Sequence, residues 1–341
     1  MSENLISNEI ACGKWTLGQK IGQGAYGVVY LAKGPDDTTA AVKVCRKDDT
    51  DPDRYERELR GARLYQSIPP EEGLVHLLDL VVCEWGFYTV MELADDEFGE
   101  CPGGSSEYRP KTLSRVIAGE KALPLTSALE LGITIANGLV TLQRHHLLHR
   151  DVKPGNIIYV RGKPVLSDIG LLVEESEAAS LVGTPGYVPP ENFTGASSDV
   201  YSLGLTLKAA SFGRSVEELD MGPTLEADTS DPLFPAWWRI LNKATHPDPS
   251  RRYHSAKALL KDLKSLHRRS FLSFGSRITA SAVQSATFVL LLLICGLIIW
   301  SKVHEYLQVE EKKAEARQSA NKLMSNLKIQ MRDFEKTMNG K

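Results

Sequence analysis

Two short segments carry the residues with the clearest chemical potential. They are His149-Arg150-Asp151-Val152-Lys153-Pro154-Gly155-Asn156 and Ser167-Asp168-Ile169-Gly170. Transfer of a phosphoryl group needs a carboxylate that orients and deprotonates a hydroxyl, oxygen ligands for Mg²⁺, and cations on the phosphates. Asp151 can supply the carboxylate and Lys153 a cation. Asn156 and Asp168 can supply the metal ligands, so the two segments indicate phosphoryl-transfer chemistry.

A glycine-rich loop precedes them in the chain. Gly22, Gly24 and Gly27 have Gly-x-Gly-x-x-Gly spacing, which dinucleotide-binding folds also use. In those folds the last glycine opens a helix, whereas Val28-Val29-Tyr30 is β-branched and aromatic and predicts a strand. A hairpin that lacks side chains at three places can lie over phosphates.

Lys43 lies in the predicted strand that contains Ala41-Val42-Lys43. A lysine that points inward from a strand is costly unless it meets an anion, either a carboxylate or a phosphate. Glu58 on the following helix is the natural carboxylate, and Glu56 is the second candidate. The alternative is that Lys43 and a glutamate form a solvent-exposed ion pair that has no function.

The elements that must position these residues change in type along the chain. From Trp15 to about Ile117 the pattern is mainly β, with one helix over 53–66 that places Tyr55, Leu59 and Ala62 on one face, together with Leu64 or Tyr65. The predicted strands cover residues 27–32, 40–45, 74–80 and 87–93. Residues 99–110 are expected to form an exposed loop.

From there to about His267 the pattern is mainly helical. The clearest helix is expected to begin at Ser127, with Glu130 completing a capping box. Its spacing predicts four buried residues: Leu131, Ile135, Leu139 and Leu142. The predicted fold is therefore α+β, with a β-rich N-lobe before a helical C-lobe.

Composition excludes several classes of protein. The 341 residues carry a net charge of −3 and are 42% hydrophobic, which is ordinary for a globular chain and not for a disordered or collagen-like one. The near-neutral charge argues against a nucleic-acid partner. The five cysteines are scattered and odd in number, so we expect reduced thiols. His145, His146 and His149 have metal-like spacing but are interpreted as part of a helix end and the following loop.

One stretch is far more apolar than the rest. Residues 278–301 are 24 consecutive residues without a charge, and a helix of that length spans about 36 Å against ~30 Å of hydrocarbon. We predict one transmembrane helix over 279–300. The first fifteen residues have no basic start and no apolar run, so no cleavable signal peptide is expected.

Charged and amphipathic residues flank this segment. Residues 268–278 are basic, and a positive-inside anchor on anionic lipid is favoured over a merely solvated helix face. After it, residues 301–341 form a predicted amphipathic helical tail. Its apolar stripe is Leu323, Leu327, Met331, Phe334 and Met338. A self-associating helix that makes the protein a homodimer and a solvated tail remain equal alternatives.

With these motifs in order, residues 15–266 resemble the eukaryotic-like serine/threonine protein kinase family and look similar to bacterial single-pass transmembrane kinases. The resemblance implies a bilobal fold in which 1–12 is a polar lead and 13–267 the kinase domain, with its N-lobe over about 13–93 and its C-lobe over about 94–267. It implies ATP with Mg²⁺, or Mn²⁺, as cofactors and a protein as substrate.

The resemblance also implies roles for individual residues. Asp151 would be the catalytic base and Lys153 a γ-phosphate contact, while Asn156 and Asp168 would bind the metal. The ATP-binding set would be Gly22, Gly24, Gly27, Lys43, Glu58 and the hinge residues Glu92 and Ala94, beside the gatekeeper Met91. Autophosphorylation would fall on Ser180, with Ser176 or Thr184 as alternatives. Glu191 would pair with Arg252, and Asp199 would brace the catalytic loop.

Two departures from the family pattern stand out. Ile169 replaces the usual Phe, and residues 212–231 do not follow the family's pattern. The leading hypothesis is an active kinase at the inner membrane with its kinase domain cytoplasmic and its C-terminus extracytoplasmic. A membrane-tethered pseudokinase scaffold is the second hypothesis, and a small-molecule kinase is the third.

Overall fold

The computed structural model describes residues 12–24, 27–47, 51–99, 107–120, 122–177, 183–192, 195–214, 216, 230–277 and 280–338. They divide into two compact units, Met1–Phe271 and Leu272–Lys341. The first unit contains the predicted β-rich and helical lobes. The second unit consists of helix.

The smaller lobe is built on a five-stranded antiparallel sheet. In chain order its strands are β1 (Thr16–Gly24), β2 (Gly27–Lys33), β3 (Thr39–Arg46), β4 (Leu77–Cys83) and β5 (Gly86–Met91). In space the order is β1-β2-β3-β5-β4. Helix α1 (Pro52–Gln66) connects β3 to β4, and the Asp51 side chain caps it by accepting the N–H of Arg54.

Both faces of this sheet are covered by apolar residues. On one side α1 buries Tyr55, Leu59, Ala62 and Tyr65. Of the two residues predicted for the last position of this face, Tyr65 is buried and Leu64 is only half-buried. On the other side the segment around Cys12 and Trp15 packs over the strands. Because both faces of the sheet are packed, the central strand β3 holds the backbone of Lys43 in a fixed position.

The larger lobe is mainly helical. Its helices are α2 (Leu113–Glu120), α3 (Leu125–Arg144), α4 (Ala196–Phe212), α5 (Phe234–Ala244) and α6 (Ala256–Arg277). Two small antiparallel sheets accompany them: β6 (Leu147–Leu148) pairs with β9 (Val173–Glu174), and β7 (Ile157–Val160) forms a hairpin with β8 (Lys163–Leu166). The four predicted core residues of α3 are all buried.

Three predictions about local structure were wrong. Helix α3 begins at Leu125 after Pro124, whose φ of −53° already fits a helix, so Ser127 lies in the first turn and there is no capping box. Strand β4 runs from Leu77 to Cys83 instead of from Leu74, because Leu74 and Val75 pair with Leu166 outside the five-stranded sheet. In the expected exposed loop Tyr108 is buried, while residues 100–106 lie outside the described residues.

The second unit contains α7 (Ala280–Met338), a single helix of 59 residues. The predicted span and the predicted tail are therefore parts of one helix. By length and composition two helices among the described residues could cross a membrane. One is the mostly buried α3, and the other is Leu290–Asn326, which contains an 18-residue window with a mean hydropathy of 1.6 and no buried residue. In the tail Leu323 and Met331 are exposed, and the side chains of Leu327, Phe334 and Met338 lie outside the described set.

Candidate active site

The glycine-rich loop joins β1 to β2 as a hairpin. Gly24 pairs with Gly27, and the chain continues from Gly27 as a strand, as predicted. A Cβ at Gly27 would lie 2.6 Å from the carbonyl oxygen of Val44, so this position accepts only glycine. The hairpin therefore lies close against β3, the strand that contains Lys43.

Lys43 makes two ion pairs at the base of this sheet. Its Nζ lies 3.0 Å from Glu58 Oε2 and 2.8 Å from Asp168 Oδ1. Glu58 is buried while Glu56 is exposed, so the predicted partner is the first of the two candidates. The pairing joins β3, helix α1 and the segment that follows β8 at one point.

Burial and charge act in opposite directions on these three groups. Burial alone would lower the pKa of Lys43, but the carboxylates of Asp168 and Glu58 outweigh it and raise that pKa. Burial raises the pKa of Glu58. Burial also opposes ionisation of Asp168, yet the charge of Lys43 and its hydrogen bond bring the pKa of Asp168 below its usual range. Lys43 and Asp168 are therefore charged at neutral pH.

Asp151 is the centre of a second set of contacts. Lys153 Nζ donates to Asp151 Oδ2 at 2.9 Å, and Asn156 Nδ2 donates to the same oxygen at 2.7 Å. The hydroxyl of Thr184 donates to Asp151 Oδ1 at 2.6 Å, and Lys153 Nζ donates to that hydroxyl at 2.5 Å. A carboxylate, a cation, an amide and an alcohol thus meet within hydrogen-bond distance.

Buried groups fix the loop that contains Asp151, residues 149–156, by hydrogen bonds. The carboxylate of Asp199 accepts the backbone N–H of His149 at 2.8 Å and that of Arg150 at 2.9 Å. His149 is fully enclosed and burial lowers its pKa, so it is neutral. Its Nδ1 accepts the N–H of Asp151, which leaves Nε2–H to donate to the carbonyl of Ser167 at 3.1 Å. The ring therefore ties the two functional segments together.

A second buried pair lies in the same lobe. Arg252 Nη1 is 2.6 Å from Glu191 Oε1, and the Arg252 side chain is fully buried. Both bonds of the guanidinium fork reach the carboxylate, since Nη2 lies 3.2 Å from Oε2. The pair fixes the chain that follows Thr184 to the base of the lobe.

A cavity of about 280 Å³ lies between the glycine-rich hairpin and the catalytic loop. Its walls include the backbone of the hinge, the base of β3 and the two polar residues Asn156 and Asp168. The predicted nucleotide-binding residues that line it are Gly22, Gly24, Gly27, Lys43, Glu92 and Ala94. Glu58 does not line it and acts on it through Lys43.

The comparisons with known proteins agree with this geometry. A family model described as a protein kinase domain matches residues 15–289. The chain belongs to the protein kinase family. Serine/threonine-protein kinase PknK of Mycobacterium tuberculosis is 31% identical over 278 residues, covering 75% of this chain and 24% of the relative. Serine/threonine-protein kinase AfsK of Streptomyces griseus is 29% identical over 257 residues, covering 67% and 29%.

A third relative covers a larger share of its own length. Serine/threonine-protein kinase PknA of Nostoc is 25% identical over 289 residues, which are 77% of this chain and 48% of the relative. The chain thus spans about a quarter to a half of the length of these relatives. The predicted membership in the eukaryotic-like, bacterial serine/threonine kinases is confirmed.

Tyr108 is one of the residues of this kinase site that sequence reasoning missed. Tyr108 lines the cavity, its hydroxyl donates to the carbonyl of Ala94 at 2.8 Å, and its backbone carbonyl and N–H bond the side chain of Gln19. It therefore connects the hinge to β1. The single aromatic residue after a Gly- and Ser-rich stretch was the available signal, but the composition of that stretch favoured an exposed loop.

The activation segment is described in part. Ser176 lies in a short 3₁₀ turn, Glu175–Glu177, in which Glu175 accepts the N–H of Ala196 and Glu177 pairs with Arg60 of α1. Ser180 lies outside the described residues. Thr184 contacts Asp151 and Lys153.

Helix α1 and the segment after Asp168 approach each other unusually closely. A Cβ at Gly170 would lie 2.0 Å from Glu58 Oε1, and a Cβ at Gly61 would lie 2.8 Å from the carbonyl of Ile169. Glu58 Oε1 has no hydrogen-bond partner among the described residues. Glu58 can therefore take this position only because residue 170 is a glycine and has no side chain.

We expect Gly170→Ala to lower phosphoryl transfer by about tenfold or more without unfolding the protein. The added methyl group meets the flexible end of Glu58, which can rotate away, so the loss falls on the Lys43–Glu58 pair rather than on the backbone. Losing a buried, charge-assisted hydrogen bond corresponds to about 1.5–3 kcal/mol. The measurement is the initial rate of label transfer from ATP with the thermal midpoint recorded alongside.

Gly119→Ala on the exposed surface of α2 is the matched control, because a Cβ there has nothing within 4 Å. It should retain the wild-type rate. A Gly170→Ala variant that transfers phosphate at the wild-type rate would contradict this account of the Glu58 site.

Proposed function

We propose that the chain transfers the γ-phosphate of ATP to serine and threonine hydroxyls of proteins. The observation that carries this proposal is the contact between the Thr184 hydroxyl and the carboxylate of Asp151, with Lys153 bonded to both. In this contact a threonine hydroxyl lies beside the carboxylate and donates to it. The contact supports a serine or threonine hydroxyl of a protein as the acceptor.

In this proposal Asp151 orients the acceptor hydroxyl and takes its proton as the oxygen attacks phosphorus. Lys153 stabilises the charge that develops on the transferred group. Asn156 holds Asp151 Oδ2 through its Nδ2 at 2.7 Å, so the other oxygen, Oδ1, is left to the hydroxyl. Asp199 and His149 position the loop and do not touch the reacting atoms.

The nucleotide would lie in the cavity under the glycine-rich hairpin. Gly22, Gly24 and Gly27 leave room for phosphates, and Lys43 provides their cation. Glu92 and Ala94 line the same cavity, where their backbone would bind the adenine ring.

The oxygens of Asn156 and Asp168 line the same cavity and suit a hard divalent cation such as Mg²⁺ or Mn²⁺. Both residues reach it from the ends of β-hairpin β7–β8, and Asp168 is ionised at neutral pH because of Lys43. A bound ion would supply neutralising charge to the phosphates. The donor set therefore fits the cofactor that the family uses.

The deciding experiment measures label transfer from γ-labelled ATP to the full-length chain and to a generic basic protein, with the protein in detergent. We propose autophosphorylation on Ser180, with Ser176 or Thr184 as alternatives, and phosphopeptide mapping of the same sample identifies the site. Absence of label from both proteins would favour a pseudokinase scaffold. Absence of phosphate between Gly170 and Glu191 would overturn only the site assignment.

We propose further that the chain is anchored in the inner membrane by a single helix over about 279–300. Support comes from the apolar window within Leu290–Asn326 and from a row of exposed cations on α6, at the spacing of one helix face: Lys257, Lys261, Lys264 and Arg268. In this proposal the kinase domain, 13–267, is cytoplasmic, the basic segment 268–278 meets anionic lipid, and the tail 301–341 is extracytoplasmic.

We expect the full-length chain to float with vesicles after reconstitution and to resist extraction by high salt and alkali. A form that ends at residue 270 should stay in the soluble fraction or bind anionic vesicles only at low salt, since screening weakens surface attraction. Flotation on a density gradient makes the measurement. Full extraction of the complete chain by alkali would remove the transmembrane assignment.

Homodimerisation through residues 279–341 is proposed on the exposed apolar side chains of the tail, including Leu323 and Met331. Two copies in one membrane would also raise the local concentration of one kinase domain for the next. Cross-linking of the full chain and of a form that ends at Ser301 tests it, and equal dimer in both would leave the tail without this role.

A further inference from the structure

Gln19 on β1 bonds to the chain that follows the hinge. Its side-chain Nε2 donates to the backbone carbonyl of Tyr108 at 2.7 Å, and its Oε1 accepts the backbone N–H of Tyr108 at 3.1 Å. One amide thus pairs with both polar backbone groups of a single residue. Because β1 belongs to the smaller lobe and Tyr108 follows the hinge, these two bonds join the lobes beside the nucleotide cavity.

Residues 107–111, which we call the strap, are also fixed by backbone pairing with the chain directly after the hinge. The N–H of Glu97 donates to the carbonyl of Arg109 at 2.8 Å, and the N–H of Lys111 donates to the carbonyl of Asp95 at 2.8 Å. One edge of the strap is therefore held by the chain after the hinge, and its other edge bonds β1.

The side chain of Tyr108 reaches from the strap to the hinge. It is 3% exposed, it lines the nucleotide cavity, and its hydroxyl donates to the carbonyl of Ala94 at 2.8 Å. Burial raises the pKa of Tyr108, so the hydroxyl stays protonated and remains a donor. Ala94 is a hinge residue whose backbone is proposed to bind adenine. The ring of Tyr108 is therefore a wall of the cavity at the end that would hold the base.

We propose that Gln19 is a positioning residue for the nucleotide: it holds the backbone of Tyr108 and thereby keeps the ring of Tyr108 in place as the wall of the base site. Gln19 is not among the described residues that line the cavity, so it acts through Tyr108 and not by touching the nucleotide. The inference rests on the proposed nucleotide site and adds a residue that sets its affinity for the base.

This role predicts which kinetic constant changes. The base takes no part in the reaction at phosphorus, so a loosened wall should weaken binding equally in the ground state and in the transition state. Such a loss raises KM for ATP and leaves kcat unchanged. A residue with a merely structural role would instead lower kcat or the amount of folded protein.

The test uses the full-length chain in detergent and the variant Gln19→Leu. Affinities for ADP and for adenosine are measured by competition with a fluorescent nucleotide, and KM and kcat by label transfer from ATP. Both affinities should fall about fivefold, the scale of one neutral hydrogen bond, with kcat within about twofold of the wild type. A loss of affinity for ADP without one for adenosine would place the effect at the phosphates and overturn the inference.

A double-mutant cycle tests whether Gln19 acts through the ring. Tyr108→Ala keeps the backbone groups that Gln19 binds but leaves no ring to position, so adding Gln19→Leu should lower the affinity for adenosine by less than about twofold. A further fivefold loss would overturn the inference. Tyr108→Phe keeps the buried ring and removes only the bond to Ala94, so in that folded background Gln19→Leu should still weaken adenosine binding, and an unchanged affinity there would overturn the inference as well.

Thr16→Val is the matched control, since Thr16 is an exposed polar residue of the same strand and is outside the described cavity lining. It should bind ADP and adenosine as the wild type does. Wild-type affinities in Gln19→Leu, or a reduced kcat at unchanged affinity, would overturn the inference. A wild type that binds both ligands but transfers no phosphate would overturn the proposed function, while the fall in affinity would still support the role of Gln19. A wild type that binds neither ligand would overturn both.

Discussion

Replacing Asp151 by Asn is expected to lower the rate of phosphoryl transfer by at least about 10²-fold, the usual contribution of a general base. The amide keeps the shape of the side chain but cannot take the hydroxyl proton. Lys153 and Asn156 both donate to Asp151 Oδ2, so the neutral side chain also weakens their positions. ATP affinity should change little, because Asp151 does not line the nucleotide cavity.

The measurement separates these two quantities. Initial rates at saturating ATP report transfer, and quenching of tryptophan fluorescence or competition with a fluorescent nucleotide reports affinity. Asp37→Asn is the matched control, because Asp37 is exposed and its φ of 55° is one that Asn adopts readily. An Asp151→Asn variant within a few fold of wild type would remove Asp151 from the proposed mechanism.

The sequence predicted the residues of the site better than their arrangement. Asp151, Lys153 and Asn156 lie within six residues of one another on a loop, so local spacing is enough to bring them together. Lys43 and Asp168 are 125 residues apart, and their contact was not predicted from the sequence. Physical reasoning alone left the partner of Lys43 open.

The choice between Glu56 and Glu58 illustrates the reason. Two residues apart on a helix are about 200° apart around its axis, so only one of them can face the sheet. The apolar face of Tyr55, Leu59 and Ala62 already favours Glu58, but the contact with Lys43 forms only when α1 packs against the sheet, which is a tertiary effect. The close approach of Gly170 to Glu58 has the same origin.

The errors also have physical causes. Pro124 starts α3 before the Ser127 signal, and a favourable capping pattern does not act inside a helix that has already begun. Tyr108 follows a polar, Gly-rich stretch, yet its ring fills the space beside the hinge and overrides the local preference. In both cases a neighbouring residue decided the conformation.

We expect Asp168→Asn to reduce phosphoryl transfer below detection while the fold persists. Its carboxylate is both the closer partner of Lys43 and the candidate metal ligand, so the neutral amide removes one charge from each interaction. Lys43 keeps Glu58 at 3.0 Å, which preserves the link between β3 and α1. Lys43→Met should abolish transfer as well, but it leaves the buried carboxylate of Glu58 without its cation and costs stability too.

A readout besides activity makes the Asp168 prediction specific. Binding of Mn²⁺ in the presence of ATP, followed by its electron paramagnetic resonance signal, should weaken strongly in Asp168→Asn and remain near wild type in Asp37→Asn. The pKa of Lys43 should also fall, because Asp168 is the stronger of the two charges that raise it. Near-wild-type transfer in Asp168→Asn would contradict the assignment of Asp168 as the metal ligand of this site.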